Sequence, residues 1–421
     1  MKHSILTRLL SLLLALCLML PFAGCAKPAV PEESGQTKPV SGENLELSSV
    51  ISADDFDEAF FDYIARRSEK SFMISPLSFR YALGLLLAGA KGNTEAELQK
   101  ALGIESTEDW TAVCDLFTAF ITEYSRETET PEFIGSSSLP ARGLCVANSL
   151  WKNEDMDFDF VPAYLDYTTE HFSAEHMPFT EATVIPAVNK WVNEKTKGLI
   201  PTLLPDDYDP AGLVVILMNA LYFKGSWNEP FVPSDHKDFT ACDGSTVEKE
   251  FIRRMGYYLY YADDETQLVI VPMTGGVYMT FVLGSTDQLA EKTAKATVTY
   301  VDITIPKMDL ATSLLNGELE DFLYERGVRD AFSSADADFT GMVDDPDISV
   351  YVSDILQKTR IKLDENGVEA AAVTAIMEKP TAVYESTPEP VIFMADRPFS
   401  FFIYTTAENT TAMMFAGVLS D

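Results

Sequence analysis

Apolar residues recur at helical spacing along the chain from Ser52, then give way to alternating or unbroken apolar runs. DDFDEAFFDYIARR predicts a helix with acids in its first turn and Arg66 and Arg67 in its last, matching the helix dipole. Residues 71–103 predict two more. Ser75 caps the first with Pro76 at its first position, and an almost wholly apolar face runs to Ala88 or Gly89. Thr94 with Glu97 predicts a capping box for the second, which Gly103 closes, and residues 109–126 predict a third helix. GLCVANSLWKN and LVVILMNALYFKG read as core strands, the second without alternation, as in a central strand covered on both faces. FVPAYLDYTTEHFSAEHM and IPAVNKWVNEKTKG, between them, are amphipathic and helical. From 247 to 305 strand signals dominate: EFIRRMGYYLYYA, TQLVIVPM, YMTFVLG and ATVTYVDITIP. TSLLNGELEDFLYERG returns to helix, ISVYVSDILQKTRIKLDE to extended chain, and FSFFIYTT and TAMMFAGVLSD end in apolar strands. Without an internal repeat, this pattern predicts one α+β domain over residues 51–421.

The N-terminal pattern is different. Lys2 and Arg8 precede an apolar run from Leu9 to Phe22, too short for a membrane span of about 20 residues. Small Ala23 and Gly24 then lead to Cys25, so residues 1–24 read as a secretory signal peptide. FAGC resembles the bacterial lipobox, which implies a lipid attached to Cys25. Phe22 departs from the usual aliphatic residue there, which keeps ordinary secretion as the alternative. Residues 25–50, rich in Pro, Ser and Glu, predict a flexible tether. Together these features predict an extracytoplasmic protein, held at a bacterial cell surface through the lipid anchor only, or secreted.

Composition narrows the function. The 421 residues are 47% hydrophobic and 23% charged, an ordered globular profile. With 31 Lys and Arg against 65 Asp and Glu, the net charge of −34 repels polyanions and argues against nucleic-acid binding. Cys114, Cys145 and Cys242 remain once Cys25 is acylated, enough for one disulfide at most, and Cys114 and Cys145 sit among apolar neighbours as small buried hydrophobes. The sequence has no HExxH, GxSxG, paired CxxC, GxxxxGK[ST] or GxGxxG. His171 and His176 are five residues apart, the wrong spacing for one helical face. Neither an enzyme nor a cofactor or metal site is predicted.

ENGVEAAAVTAIMEKPTAVYESTPEP, residues 365–390, combines conflicting signals: an Ala-rich helical first half with Gly367 near its start, then three prolines. Read as a strand, it alternates. Val368, Ala370, Ala372, Thr374 and Ile376 form one side with nothing charged or aromatic, while Glu369, Ala371, Val373, Ala375 and Met377 form the other. Gly367 allows the backbone to turn where such a strand would begin.

Several collinear stretches resemble the serpin family over about residues 55–421. MISPLSFRYALGLLLAGAKGNTEAELQKALG, AVNKWVNEKTKGLIPTLLP, LMNALYFKGSWNEPF, GVRDAFSSADADFTGM, IKLDENGVEAAAVTA and FMADRPFSFFIY are similar to its signatures and lie in its order. The resemblance implies the serpin fold: three β-sheets, eight or nine helices, and an exposed reactive-centre loop over about 365–390. It also implies irreversible suicide-substrate inhibition of serine proteases, in which the cleaved loop enters the main sheet as a strand. The alternative is a non-inhibitory serpin acting as a binding or carrier protein. By the inhibitory family's hinge length, the reactive bond joins Thr381 to Ala382, which suits an elastase-like or subtilisin-like target. Counting back from Pro398 allows Val383 or Tyr384, and Lys379 would suit a trypsin-like protease. The hinge carried over comprises Glu365, Gly367, Val368, Glu369, Ala370, Ala371, Ala372, Val373 and Thr374. Val368 departs from the usual Thr or Ser and predicts a slower first step of insertion. Ser75, Ser78 and Asn219 match residues under the main sheet that control its opening, Trp227 matches the aromatic where the loop enters, and Gln357 stands in place of the usual His. DWTAVCDLFTAFITEYSRET has a single Arg, so no glycosaminoglycan cofactor is expected. The expected partner is a target serine protease, met by a monomer.

Overall fold

The computed structural model describes residues 55–125, 143–343, 350–368, 388–407 and 410–421. Among these, eight α-helices and three sheets form a mixed α+β architecture, as expected from the chain pattern. Helix α1 (Asp55–Ala65) and the short strand β1 (Phe72–Ile74) lead into α2 (Pro76–Gly89), which is buried along nearly its whole length. Ser75 caps α2 as expected, its hydroxyl accepting from the Ser78 N–H at 3.3 Å. At Gly89 a Cβ would lie 2.1 Å from Met342 Cγ, so the helix end fits its neighbour only as glycine. Helices α3 (Gly92–Leu102) and α4 (Thr107–Ser125) follow.

The six-stranded sheet positions the site. Its order is β12 (Met308–Leu314), β13 (Val352–Asp364), β14 (Gly367–Val368), β4 (Val215–Ser226), β2 (Gly143–Asn153) and β3 (Ala174–Phe179). Its central strand β4 is covered on both faces, which is why its sequence lacks polar alternation. Leu217, Leu221 and Phe223 join the main core beneath the sheet, while Ile216, Met218 and Ala220 face a second core. That second core is closed by α6 (Val184–Lys195), whose Val188, Trp191 and Val192 line it; Trp191 meets Trp151 of β2 edge to face, centroids 6.3 Å apart. A nine-stranded sheet holds β1, β5 (Val232–Pro233), β8 (Phe251–Ala262), β9 (Thr266–Met273), β10 (Val277–Gly284), β11 (Thr297–Pro306), β15 (Val391–Met394), β16 (Phe399–Ala407) and β17 (Thr410–Leu419). The third sheet pairs β6 (Lys237–Thr240) with β7 (Thr246–Lys249). Helices α5 (Pro162–Phe172), α7 (Leu289–Ala294) and α8 (Glu318–Glu325) complete the set.

Four local expectations are corrected. The helix expected through SAEHM stops at Phe172, because Ser173 turns left-handed at φ 51°, and Ala174–Phe179 becomes a strand parallel to β2. TSLL is not the start of α8: Thr312–Leu314 belongs to β12, paired with β13, and the left-handed Gly317 separates it from the helix. Helix α3 begins at Gly92, ahead of Thr94, whose hydroxyl instead accepts from the Asp338 N–H at 3.0 Å, so no capping box forms. Arg66 and Arg67 lie past the end of α1, although Arg67 still reaches back to donate to the Tyr63 carbonyl at 3.2 Å.

Candidate functional site

The site is a split between two neighbouring strands. β4 and β13 run parallel and pair from Val215 with Val352 up to Ala220 with Lys358, then part. At the far end of the split lies β14. Val368 sits opposite Leu363 of β13 and Gly225 of β4, and Gly367 opposite Asp364 and Ser226, so the two residues bond antiparallel to both strands. Val368 is 1% exposed and belongs to the main core beneath the sheet. Gly367 has φ +141°, and a Cβ there would lie 2.2 Å from the Gly225 carbonyl oxygen, so only glycine fits this wedge.

The turn that delivers β14 is tied to the end of β4. The indole of Trp227 donates to the Asp364 carbonyl at 3.1 Å, its backbone N–H donates to Asn366 at 3.0 Å, and the Phe231 N–H donates to Glu365 at 2.8 Å. Trp227 is buried, its ring 5.2 Å from Phe231. Glu365 forms an ion pair with Lys307 at 3.1 Å, and Lys307 reaches Glu250 at 3.0 Å. Burial opposes ionisation of Glu365, but bonds from its own backbone N–H and from Lys307 outweigh it and hold the carboxyl below the usual range.

Beneath the closed half of the sheet, Gln357 clasps the backbone of Ser75. Its Oε1 accepts from the Ser75 N–H and its Nε2 donates to the Ser75 carbonyl, both at 3.0 Å, while the Ser75 hydroxyl donates to Met414 at 2.7 Å. Asn219 lies opposite Gln357 but donates the other way, to Asn148 of β2, whose own amide donates to the Phe172 carbonyl at 3.1 Å. The side chains of Ser75 and Gln357 thus form one group and those of Asn148 and Asn219 another. Ser78 Oγ and Asn219 Oδ1 are buried without a hydrogen-bond partner among the described residues. Sequence reasoning missed Asn148, and it missed Thr359, whose hydroxyl donates to Met73 at 2.6 Å. Neither carries a local signal, since their partners are far away in the chain.

Glu369, Ala370, Ala371, Ala372, Val373, Thr374, Thr381, Ala382 and Cys25 lie outside the described residues. Among the described residues the histidines do not gather. His171 faces Asp115 at 2.9 Å, His176 faces Thr168 at 2.9 Å, and His236 stands 4.0 Å from Glu248. Cys114, Cys145 and Cys242 are free thiols, respectively buried, half-buried and exposed.

The family model described as Serpin (serine protease inhibitor) matches residues 52–421. The chain belongs to the serpin family. It is 28% identical over 377 residues to the leukocyte elastase inhibitor of Sus scrofa, covering 83% of this chain and 93% of that protein. It is 30% identical over 377 residues to serpin B8 of Homo sapiens, covering 84% and 94%. In fold this serpin resembles the thermophilic serpin tengpin in its native state, with a TM-score of 0.74 at 24% identity over 91% of this chain and 96% of that one. Like these inhibitors and serpins, the chain is not an enzyme.

Proposed function

We propose that this serpin is an irreversible inhibitor of serine proteases that traps its target by loop insertion into the split between β4 and β13. A protease serine attacks the Thr381 carbonyl; the bond to Ala382 breaks, Ala382 leaves as a free amine, and Thr381 is held as an ester on the enzyme. The freed hinge then continues β14 down the split.

The observation that carries this reading is the register of β14. From Val368, opposite Leu363 and Gly225, each further residue moves one rung down both strands. Residues 369–372 would meet Lys362–Thr359 and Lys224–Leu221, where β13 and β4 have already parted. Val373 would be the first to displace an existing pair, Lys358 with Ala220, and Thr374 the next, Gln357 with Asn219. Ala370, Ala372 and Thr374 share the parity of Val368, so small uncharged side chains would go beneath the sheet, and Glu369 would point outward between Lys362 and Lys224. Insertion replaces one parallel ladder by two antiparallel ones, which are better bonded per residue, and this supplies the driving force.

In the same reading residues 1–24 are a signal peptide, Cys25 carries a lipid and residues 25–50 tether the serpin domain, 51–421, outside a bacterial cell. It acts as a monomer, without a glycosaminoglycan, on an elastase-like or subtilisin-like protease. Incubation with such an enzyme is expected to give a covalent complex that survives denaturation, and cleaved protein that melts well above the intact form. Clean loop cleavage with no complex and no rise in melting temperature would instead mark a non-inhibitory binding or carrier serpin.

A further inference from the structure

Asparagine followed directly by glycine occurs twice in the chain, at Asn316–Gly317 and at Asn366–Gly367. Such a pair has its own chemistry. The backbone nitrogen of the second residue can attack the side-chain carbonyl carbon of the first, and a glycine, with no Cβ in the way, lets it approach. The new nitrogen–carbon bond closes a cyclic imide, the bond to the side-chain nitrogen breaks, and that NH2 leaves as ammonia with the proton of the glycine N–H. Water then opens the imide. Opening at one carbonyl leaves aspartate; opening at the other leaves isoaspartate, the major product, whose main chain runs through the former side chain and is longer by a carbon atom.

The two sites differ in freedom. Asn316 is exposed, and Gly317 turns left-handed at φ 84° with open space where a Cβ would stand. Asn366 is half-buried in the two-residue turn between β13 and β14, and the nitrogen it needs belongs to Gly367. Gly367 is paired opposite Asp364 on one side and Ser226 on the other, and the Gly225 carbonyl fills the space beside its Cα. Asn366 is itself pinned: its N–H donates to Asp364 Oδ1 at 2.7 Å, and its carbonyl accepts from the Trp227 N–H at 3.0 Å. Attack requires the Gly367 nitrogen to swing toward the Asn366 side chain, which breaks these pairings. The seated turn therefore blocks the reaction.

We propose that Asn366 is a self-modification site controlled by β14: it is protected while Val368 sits between β13 and β4, and it converts once β14 leaves the split. Refolding does not reverse the change. Isoaspartate lengthens the turn and throws Val368 off its register with Leu363 and Gly225, while aspartate adds a charge beside Asp364 and Glu365. A molecule whose hinge has slipped out is thereby kept out.

The test concerns only the seat of β14 and uses no protease, so its outcome is independent of the inhibitory reading. Intact protein, Val368→Arg and synthetic peptides covering residues 362–372 with either residue at 368 are held in mildly alkaline buffer. Peptide mass spectrometry reads the exchange of NH2 for OH at Asn366 and Asn316, and enzymatic methylation marks isoaspartate. Asn366 is expected to convert at least about tenfold more slowly in the wild type than in its peptide. In Val368→Arg, which cannot bury its guanidinium, the Asn366 rate is expected to rise at least about tenfold over wild type with Asn316 unchanged. If Asn316 rises equally the variant has unfolded, and the wild-type comparison and the aged protein then decide. Wild type aged until Asn366 carries isoaspartate is expected to exchange its Gly225 and Ser226 amides faster than fresh protein. A wild-type Asn366 as fast as its peptide, a folded Val368→Arg as slow as wild type, or aged protein with those two amides as protected as before would each overturn the proposal.

Discussion

Gln357 on β13 stands directly opposite Asn219 on β4, one rung below the last pair that joins the two strands, yet the two amides bond in opposite directions. Gln357 is anchored to Ser75 and Asn219 to Asn148. Parting the strands at this rung therefore breaks backbone pairing and leaves both side-chain groups intact. Each half of the sheet moves with its own anchor. Because a glutamine does not titrate, this rung contributes no pH dependence near neutrality, whereas the family's usual histidine would.

Gln357→Ala removes the acceptor of the buried Ser75 N–H, while the Ser75 carbonyl keeps the Phe79 N–H at 3.1 Å. The stranded donor costs about 1–3 kcal/mol. Thermal unfolding is expected at a lower temperature than wild type; an unchanged melting point would mean that water replaces the amide.

Val368→Arg places a guanidinium where a 1% exposed side chain now sits in the core. Burying that charge unpaired costs several kcal/mol. The variant is expected to be cleaved by an elastase-like or subtilisin-like protease and released as substrate, read as loss of the denaturation-resistant complex. Undiminished trapping would show that Val368 does not lead the inserting strand.

Gly367→Ala adds a Cβ 2.2 Å from the Gly225 carbonyl, at a φ of +141° that L-residues rarely adopt. Strain of about 1–3 kcal/mol is expected to drive β14 out of the split. The Gly225 and Ser226 amides would then exchange faster than in wild type; equal rates would mean that the strands widen around the methyl group.

The pH dependence of stability has a definite sign. Glu320 holds its proton in the folded state to about 8, whereas the unfolded chain releases it in the ordinary carboxyl range. Native stability is therefore lost as pH rises between those limits. The melting-temperature advantage of Glu320→Gln over wild type should grow from pH 5 to pH 8 and then level. A constant difference across that range would mean that the carboxyl ionises normally.

Much of the sheet was legible because its strands bury apolar faces and say so in their periodicity. β4 reads as a central strand, and β8 to β11 and β13 appear close to their observed bounds. The errors fall where partners overrule local preference. Ala174–Phe179 becomes a strand because β2 offers it an edge, and Thr94 is engaged by Asp338, a residue more than 200 positions away. Arg80 is a similar case: in a helix that reads as apolar, it is 4% exposed and bonded to Asp57 of α1 at 2.7 Å. The small residues at period two after Gly367 stand in the sequence alone, since residues 369–374 lie outside the described residues. The burial of Glu320 was not legible, since in a chain with 65 acids none stands out until packing removes its water.

The sequence by itself determined which segments bury apolar faces, the left-handed freedom of Gly367 and the small alternating residues after it, because each depends on covalent structure and near neighbours. Only the tertiary structure decided that β4 and β13 part above Lys358, that Val368 enters between them, and that Glu320 lies buried. These depend on register, and on desolvation by elements distant in the chain.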